Sequence, residues 1–320
     1  MSSSLATRRF GSSDILVTPL CVGCAPLGSM PDTFGYGVSV EQALDTLRAV
    51  FSSPINYIDT AASYGDGESE RRIGLMLREL GGLPEGYVLG TKVDRDAKTG
   101  DFSGEQMKRS LERSLQLLGL DRLQIVFLHD PEHTTFENVM GPGGPLEVLQ
   151  DYQRQGVIDQ LGVAGGPVDM MIRYVETGAF GSMITHNRYT LLNRSAAPLL
   201  EASAQRGMAV LNAAPYGSGI LAKGPSAYAR YAYQEADATT LQRAQHMEAV
   251  CNEHGVPLAA AALQFSLRDP RITSTIIGMT RPERVAQTVE LAQHAIPDEL
   301  WPLLDAEGYD ESDPEANRFK

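Results

Sequence analysis

Apolar runs of strand length alternate with longer segments of helical period along nearly the whole chain. The runs are LCVGCAPL (20–27), NYIDTA (56–61), YVLGTKV (87–93), LQIVFLH (123–129), IDQLGVAG (158–165), SMITHNRY (182–189), MAVLNAAPY (208–216) and STIIGM (274–279). Each is followed by a helical segment, at 40–53, 69–80, 104–119, 145–156, 168–178, 196–207, 241–268 and 281–293. The strands are near-continuously apolar rather than alternating, which predicts burial on both faces, as in a parallel sheet. Eight such units close most simply as a (β/α)8 TIM barrel, an α/β fold. RRFGSSDILVT (8–18) reads as an N-terminal β-hairpin covering the bottom of that barrel. An open doubly wound sheet is the competing arrangement. Its usual GxGxxG is missing, because the chain reads GCAPLGSM after the first strand. Gly119, Gly156, Gly178, Gly207 and Gly255 fall where helices end in a left-handed residue. One domain is expected over 1–320, with its core at about 8–295 and a loosely held acidic tail at 296–320.

At 320 residues and 34.7 kDa the chain suits one large barrel, and 42% hydrophobic residues suffice for its core. The formal charge of −13 and pI near 4.9 argue against nucleic acid or an anionic membrane as partner. A phosphate-bearing ligand would need locally gathered Arg, Lys or backbone N–H groups. MSSSLATRRF lacks the apolar stretch of a secretory signal, and no apolar run approaches the ~20 residues of a membrane span. With three cysteines, an odd number, a cytoplasmic location is expected. Cys21 and Cys24 have Cys-x-x-Cys spacing, but zinc needs about two further ligands and no second pair exists, so they read as small packing residues. His129 and His133 are separated by Pro131, which disfavours a shared helical face; no metal is expected.

The stretch NYIDTAASYGDGESE (56–70) carries the chemistry. A short strand delivers Asp59, small residues lead to Tyr64, and Gly65 and Gly67 bend the chain into the next helix. In a barrel of this kind catalytic groups gather at the strand C-termini. There Asp59 and Tyr64 would join Lys92 of the third strand and His129 of the fourth. Each alone has an ordinary structural explanation; together at equivalent strand ends they indicate a site. A phenol is a weak acid, with an unperturbed pKa of ~10. Lys92 beside it would lower that value, and Asp59 would hold Lys92 charged. Tyr64 could then pass a proton to or from a carbonyl or alcohol oxygen, with a neutral His129 orienting it. A group managing only the proton requires a partner for the electrons, which points to a nicotinamide hydride.

With NYIDTAASYG, GTKV, FLHDP, NAAPYGSG and GMTRPERV in order over residues 8–295, the chain resembles the aldo-keto reductase family. The resemblance implies a tetrad of Asp59, Tyr64, Lys92 and His129 under an extended NAD(P)(H). It implies cofactor contacts from Asn187, Tyr216, Gly217, Ser218, Gly219, Ile220, Gly278, Thr280, Arg281, Arg284 and Gln287. Thr280 and Glu283 also have the spacing of a capping box, and Arg281 at a helix start suits a 2′-phosphate. NADP(H) is therefore favoured over NAD(H). Two departures stand out: Ala164-Gly165 replaces a frequent Ser-Asn, and Gly278 replaces a frequent Lys.

THNRYTLLNRS and IIGMTRPERV are most similar to the L-fucose and D-threo-aldose 1-dehydrogenase branch, with pyridoxal 4-dehydrogenase nearby. A small carbonyl or sugar substrate would be selected by Phe34, Tyr36, Tyr228, Tyr231, Tyr233 and the 131–144 loop. Two other readings stay open here: a cofactor-sensing subunit with little turnover, and a phosphate-binding barrel enzyme without nicotinamide.

Overall fold

The structure is a computed structural model that describes residues 5–316. Strands β1 (Arg8–Arg9) and β2 (Leu16–Val17) form the antiparallel hairpin. There follow β3 (Leu20–Gly23), β4 (Tyr57–Asp59), β5 (Val88–Val93), β6 (Leu123–His129), β7 (Ile158–Ala164), β8 (Ser182–His186) and β9 (Ala209–Ala213). A two-stranded excursion, β10 (Arg230–Tyr231) and β11 (Gln234–Glu235), precedes β12 (Ser274–Gly278). β12 pairs in parallel with both β9 and β3, closing the ring β12-β3-β4-β5-β6-β7-β8-β9. The barrel expected from the apolar runs is present; the open sheet is not.

Local chemistry explains where the helices begin and end. The Ser39 and Ser103 hydroxyls accept from the backbone N–H of Gln42 and Gln106, capping helices Val40–Phe51 and Gly104–Leu118. All five glycines expected at helix ends have φ between 65° and 76°. The apolar faces of these helices pack on the outward side chains of the strands: Leu47, Ile73, Met107 and Leu111 share one core with Leu20, Val22, Val126 and Leu128.

Inward side chains form a second, smaller core. Strand residues alternate direction, so Cys21, Tyr57, Val88, Ile125, Phe127, Ile184 and Leu211 fill the barrel interior. Phe10 and Val17 of the hairpin join this layer from below, the Phe10 ring meeting Tyr57 edge-on at 6.1 Å. The hairpin thus plugs the bottom and leaves the upper mouth for chemistry. The Cys21 and Cys24 thiols are free and buried, and burial pushes both well above their ordinary pKa.

Three local expectations need correction. No capping box forms at Thr280: helix Pro282–Gln293 starts at Pro282, and Arg281 is its N-cap, extended at φ −143° and without a side-chain cap. A residue before proline is pushed out of the helical region, which leaves Thr280 one position too early. The 131–144 loop folds into a turn at Pro131–His133 and a helix at Phe136–Met140, with Phe136 stacked beside Tyr174. Nor is the tail loose over its described part. Helix Leu300–Ala306 buries Leu300, Trp301 and Leu304, and Asp310 bridges to Asn193. No helix among the described residues is long and apolar enough to cross a membrane.

Candidate active site

The inward phase of the strands carries straight into the mouth. Tyr57 is followed two residues later by Asp59, Val88 and Gly90 by Lys92, and Ile125 and Phe127 by His129. Asp59 lies opposite Gly90 in the β4–β5 ladder, Lys92 opposite Phe127 and His129 opposite Ala164. Three adjacent strands therefore raise three ionisable groups, each two residues further along its strand than the partner of the one before. Tyr64 comes from the turn after β4. Its position depends on Gly65 (φ 62°), where an added Cβ would lie 2.1 Å from the carbonyl oxygen of Gly28. The two backbones touch there, and the phenol is thereby fixed over the mouth.

Lys92 Nζ donates to Asp59 Oδ1 at 2.5 Å and to the Thr60 carbonyl at 2.7 Å, with both charged side chains almost wholly buried. The same nitrogen lies 4.8 Å from the centre of the Tyr64 ring. The Tyr64 and His129 rings meet edge to face, with centroids 5.9 Å apart. The four predicted groups are thus together. Burial works against the Lys92 charge, but Asp59 and Tyr64 outweigh it and hold the ammonium above its ordinary range. Burial pushes the Asp59 carboxyl up, opposed by Lys92.

Two electrostatic expectations are corrected. The Tyr64 phenol does not fall below its ordinary value: burial raises it, and Lys92 only partly offsets that. Without a ligand, Tyr64 is a protonated acid. Nor is His129 set to be neutral at pH 7. Burial disfavours its charge, yet Asp130 and Asp94 together hold it up at about 9.

Asp94 escaped the sequence reading. Its Oδ1 lies 2.7 Å from His129 Nδ1, and its Oδ2 accepts from the Ser63 N–H at 2.9 Å. Although burial pushes Asp94 up, His129 and the Ser63 donor keep it below its ordinary value. It ties the imidazole to the segment that carries Tyr64. The available signal was position: Asp94 stands two residues beyond Lys92.

From this mouth a cleft of about 1130 Å³ runs toward the start of helix Pro282–Gln293. Asp59, Tyr64, Lys92 and His129 line one part of it; Tyr216, Ser218, Gly219, Gly278, Thr280, Arg281, Arg284 and Gln287 line the remainder. Asn187, Gly217 and Ile220 do not line it. Asn187 is wholly buried, its Nδ2 donating to Glu315 Oε1 at 3.0 Å and its Oδ1 accepting from Ser218 Oγ at 3.1 Å. Gly217 lies beneath the Tyr231 ring, and Ile220 belongs to the core. His186, one residue earlier, lines the cleft instead. The strand's alternation accounts for this, since His186 shares the phase of inward Ile184.

Phe34, Tyr36, Tyr228 and Tyr233 also line the cleft, whereas Tyr231 and the 131–144 loop do not. Phe34 meets Tyr233 at 6.5 Å. Tyr36 interacts with Tyr228 and with Thr280, Arg281 and Arg284, which sets these two phenols by the cationic arm. Tyr228 further packs on Gly219 and under Lys223.

Comparison with known proteins agrees with this fold. The model of the Aldo/keto reductase family matches residues 19–307. Pyridoxal 4-dehydrogenase of Microbacterium luteolum is 31% identical over 94% of this chain and 97% of its own. D-threo-aldose 1-dehydrogenase of Pseudomonas sp is 30% identical over 92% and 94%. An aldo-keto reductase from Bacillus halodurans, in its holo form, has the same fold, with a TM-score of 0.79 at 21% identity over 98% of this chain and 99% of that one.

Proposed function

We propose that this chain, which belongs to the aldo/keto reductase family, is an NAD(P)-dependent oxidoreductase acting on the carbonyl or hemiacetal carbon of a small aldose- or aldehyde-type substrate. The observation that carries the reading is the convergence of a buried Lys92–Asp59 ion pair, the Tyr64 phenol and His129 on one cleft.

The cleft also fits a dinucleotide. It is long, it passes the bent Tyr216–Gly219 backbone, and it ends at Arg281 and Arg284, both exposed. Arg281 and Arg284 would meet a 2′-phosphate, which favours NADP(H) over NAD(H). Tyr36 and Tyr228 would cover this arm, with Phe34 and Tyr233 packed alongside. Nicotinamide, when bound, supplies or takes the hydride.

The chain's own groups manage the proton. In reduction the substrate's carbonyl oxygen takes the Tyr64 phenolic proton as its carbon receives the hydride; in oxidation both transfers reverse. Burial keeps Tyr64 protonated until then. Lys92 stabilises the phenolate left behind, and Asp59 with the Thr60 carbonyl keeps the ammonium in place. His129 orients the same oxygen, its ring steadied by Asp94.

The relatives' names bring two substrate classes to this chain, aldoses oxidised at C1 and pyridoxal. A cytoplasmic setting would keep the three buried thiols reduced. The test is turnover with L-fucose, D-arabinose and pyridoxal, with each dinucleotide, for wild type and Tyr64→Phe. Loss of about a thousandfold in kcat with unchanged dinucleotide Kd is expected of the variant. Full turnover by Tyr64→Phe sinks the mechanism. Tight dinucleotide binding with no turnover on the whole panel favours the sensing subunit.

A further inference from the structure

The C-terminal segment past residue 307 lies beyond the stretch that the family model matches, yet it reaches the wall of the cleft. Asp310 pairs with Asn193, its N–H donating to the Leu192 carbonyl, and Asn193 Nδ2 donates to the Ser312 carbonyl. Asp313 lies 2.7 Å from Arg188 Nη2. These contacts deliver Glu315, whose side chain is fully buried, to the end of β8. There a single oxygen, Oε1, lies 3.0 Å from His186 Nε2, accepts from Asn187 Nδ2 at 3.0 Å and accepts from Arg188 Nη1 at 3.4 Å. Three consecutive residues at a strand end thus converge on one carboxylate. Asn187 has φ of 57°, so the chain turns sharply just where it is gripped.

Two of these three contacts lead to the cleft. The His186 ring lines it directly, and Asn187 passes the constraint on to Ser218 Oγ, which lines it in the bent loop.

We propose that Glu315 is a positioning residue for the dinucleotide pocket: it fixes the His186 imidazole in the cleft and, through Asn187, fixes Ser218. The inference rests on the reading that this cleft binds a nicotinamide dinucleotide. An ordered wall lowers the freedom that a ligand must quench on binding. Loss of Glu315 therefore falls on dinucleotide affinity more than on the hydride step, which takes place over Tyr64 and Lys92.

The test is calorimetric titration of NADP⁺ and NAD⁺ into wild type, Glu315→Ala, Glu315→Gln and Tyr309→Ala, with thermal melting and kcat at saturating dinucleotide. Glu315→Ala is expected to raise Kd roughly tenfold to a hundredfold, by analogy with the loss of outer partners that orient metal ligands. Its kcat should fall by a smaller factor than its affinity. Tyr309 packs on Arg194, which is not among the partners of the Glu315 carboxylate, and Tyr309→Ala should leave Kd within about twofold. If Glu315→Ala does not fold, Glu315→Gln decides, with Kd raised at least about threefold expected from loss of the charge on three donors.

Unchanged Kd in the Glu315 variant that folds overturns the proposal. So does an equal loss in Tyr309→Ala, which would reduce Glu315 to one of many tail contacts. If wild type binds neither dinucleotide, the underlying reading of the cleft fails and takes this one with it; binding by wild type with indifference to Glu315 removes this proposal alone.

Discussion

Replacing Asp94 by Asn should expose how His129 is held. The imidazole is raised from its ordinary 6.5 to about 9, with only 12% of its side chain exposed. At ~1.4 kcal/mol per pH unit, that interval sets a ceiling of about 3.5 kcal/mol on what the charged ring lends the fold. Asp130 and Asp94 share this, and Asp94 adds the direct hydrogen bond. Asp94→Asn should therefore remove roughly half, ~1.5 kcal/mol. A group whose folded pKa is raised contributes fully below its unfolded value and loses the contribution as pH climbs through the folded one. The stability gap between wild type and variant should accordingly be ~1.5 kcal/mol wider near pH 6 than near pH 10. Urea unfolding at the two pH values measures it, and any constant offset from the substitution itself cancels in the difference. The pH profile of carbonyl reduction gives a second reading, because any high-pH limb due to His129 should move down in the variant. An identical gap at both pH values would refute the reasoning, since Asp94 would then hold the ring by shape alone.

Further substitutions test the neighbouring contacts. Asp59→Asn leaves the Lys92 ammonium buried with only the Thr60 carbonyl and the neutral Tyr64 phenol as close partners besides the new amide, and should cost about 3–5 kcal/mol by denaturant unfolding. Near-wild-type stability would mean that Lys92 sheds its proton instead. Gly65→Ala sets a methyl 2.1 Å from the Gly28 oxygen at a positive φ; a loss of roughly 2 kcal/mol or more in melting experiments and a fall in kcat are expected as Tyr64 is displaced. An alanine variant as stable and active as wild type would mean that the two backbones separate freely.

The barrel was legible because burial on both faces writes itself as continuous apolar runs, and the tetrad because its members stand at the ends of those runs. Asp94 was harder to see. It lies just beyond the apolar part of GTKVD, where carboxylates are common, and its partner comes from another strand. Asn187 stood out by motif likeness alone, although alternation from Ile184 turns His186 toward the cleft. The tail was misread because a polar, acidic stretch carries no sign of the basic and amide groups that wait for it; Arg188, Asn193 and His186 lie more than a hundred residues earlier. Helix starts depend on single residues, so Pro282 undid the expected cap at Thr280.

The shared inward phase of Asp59, Lys92 and His129 makes their aim a matter of parity. One residue inserted into β6 would swing the imidazole out among the surrounding helices. Two would restore its direction but lift it by ~6.6 Å, clear of Tyr64. Descendants of this chain that acquire new substrates must therefore leave strand lengths alone and vary what rises above the rim.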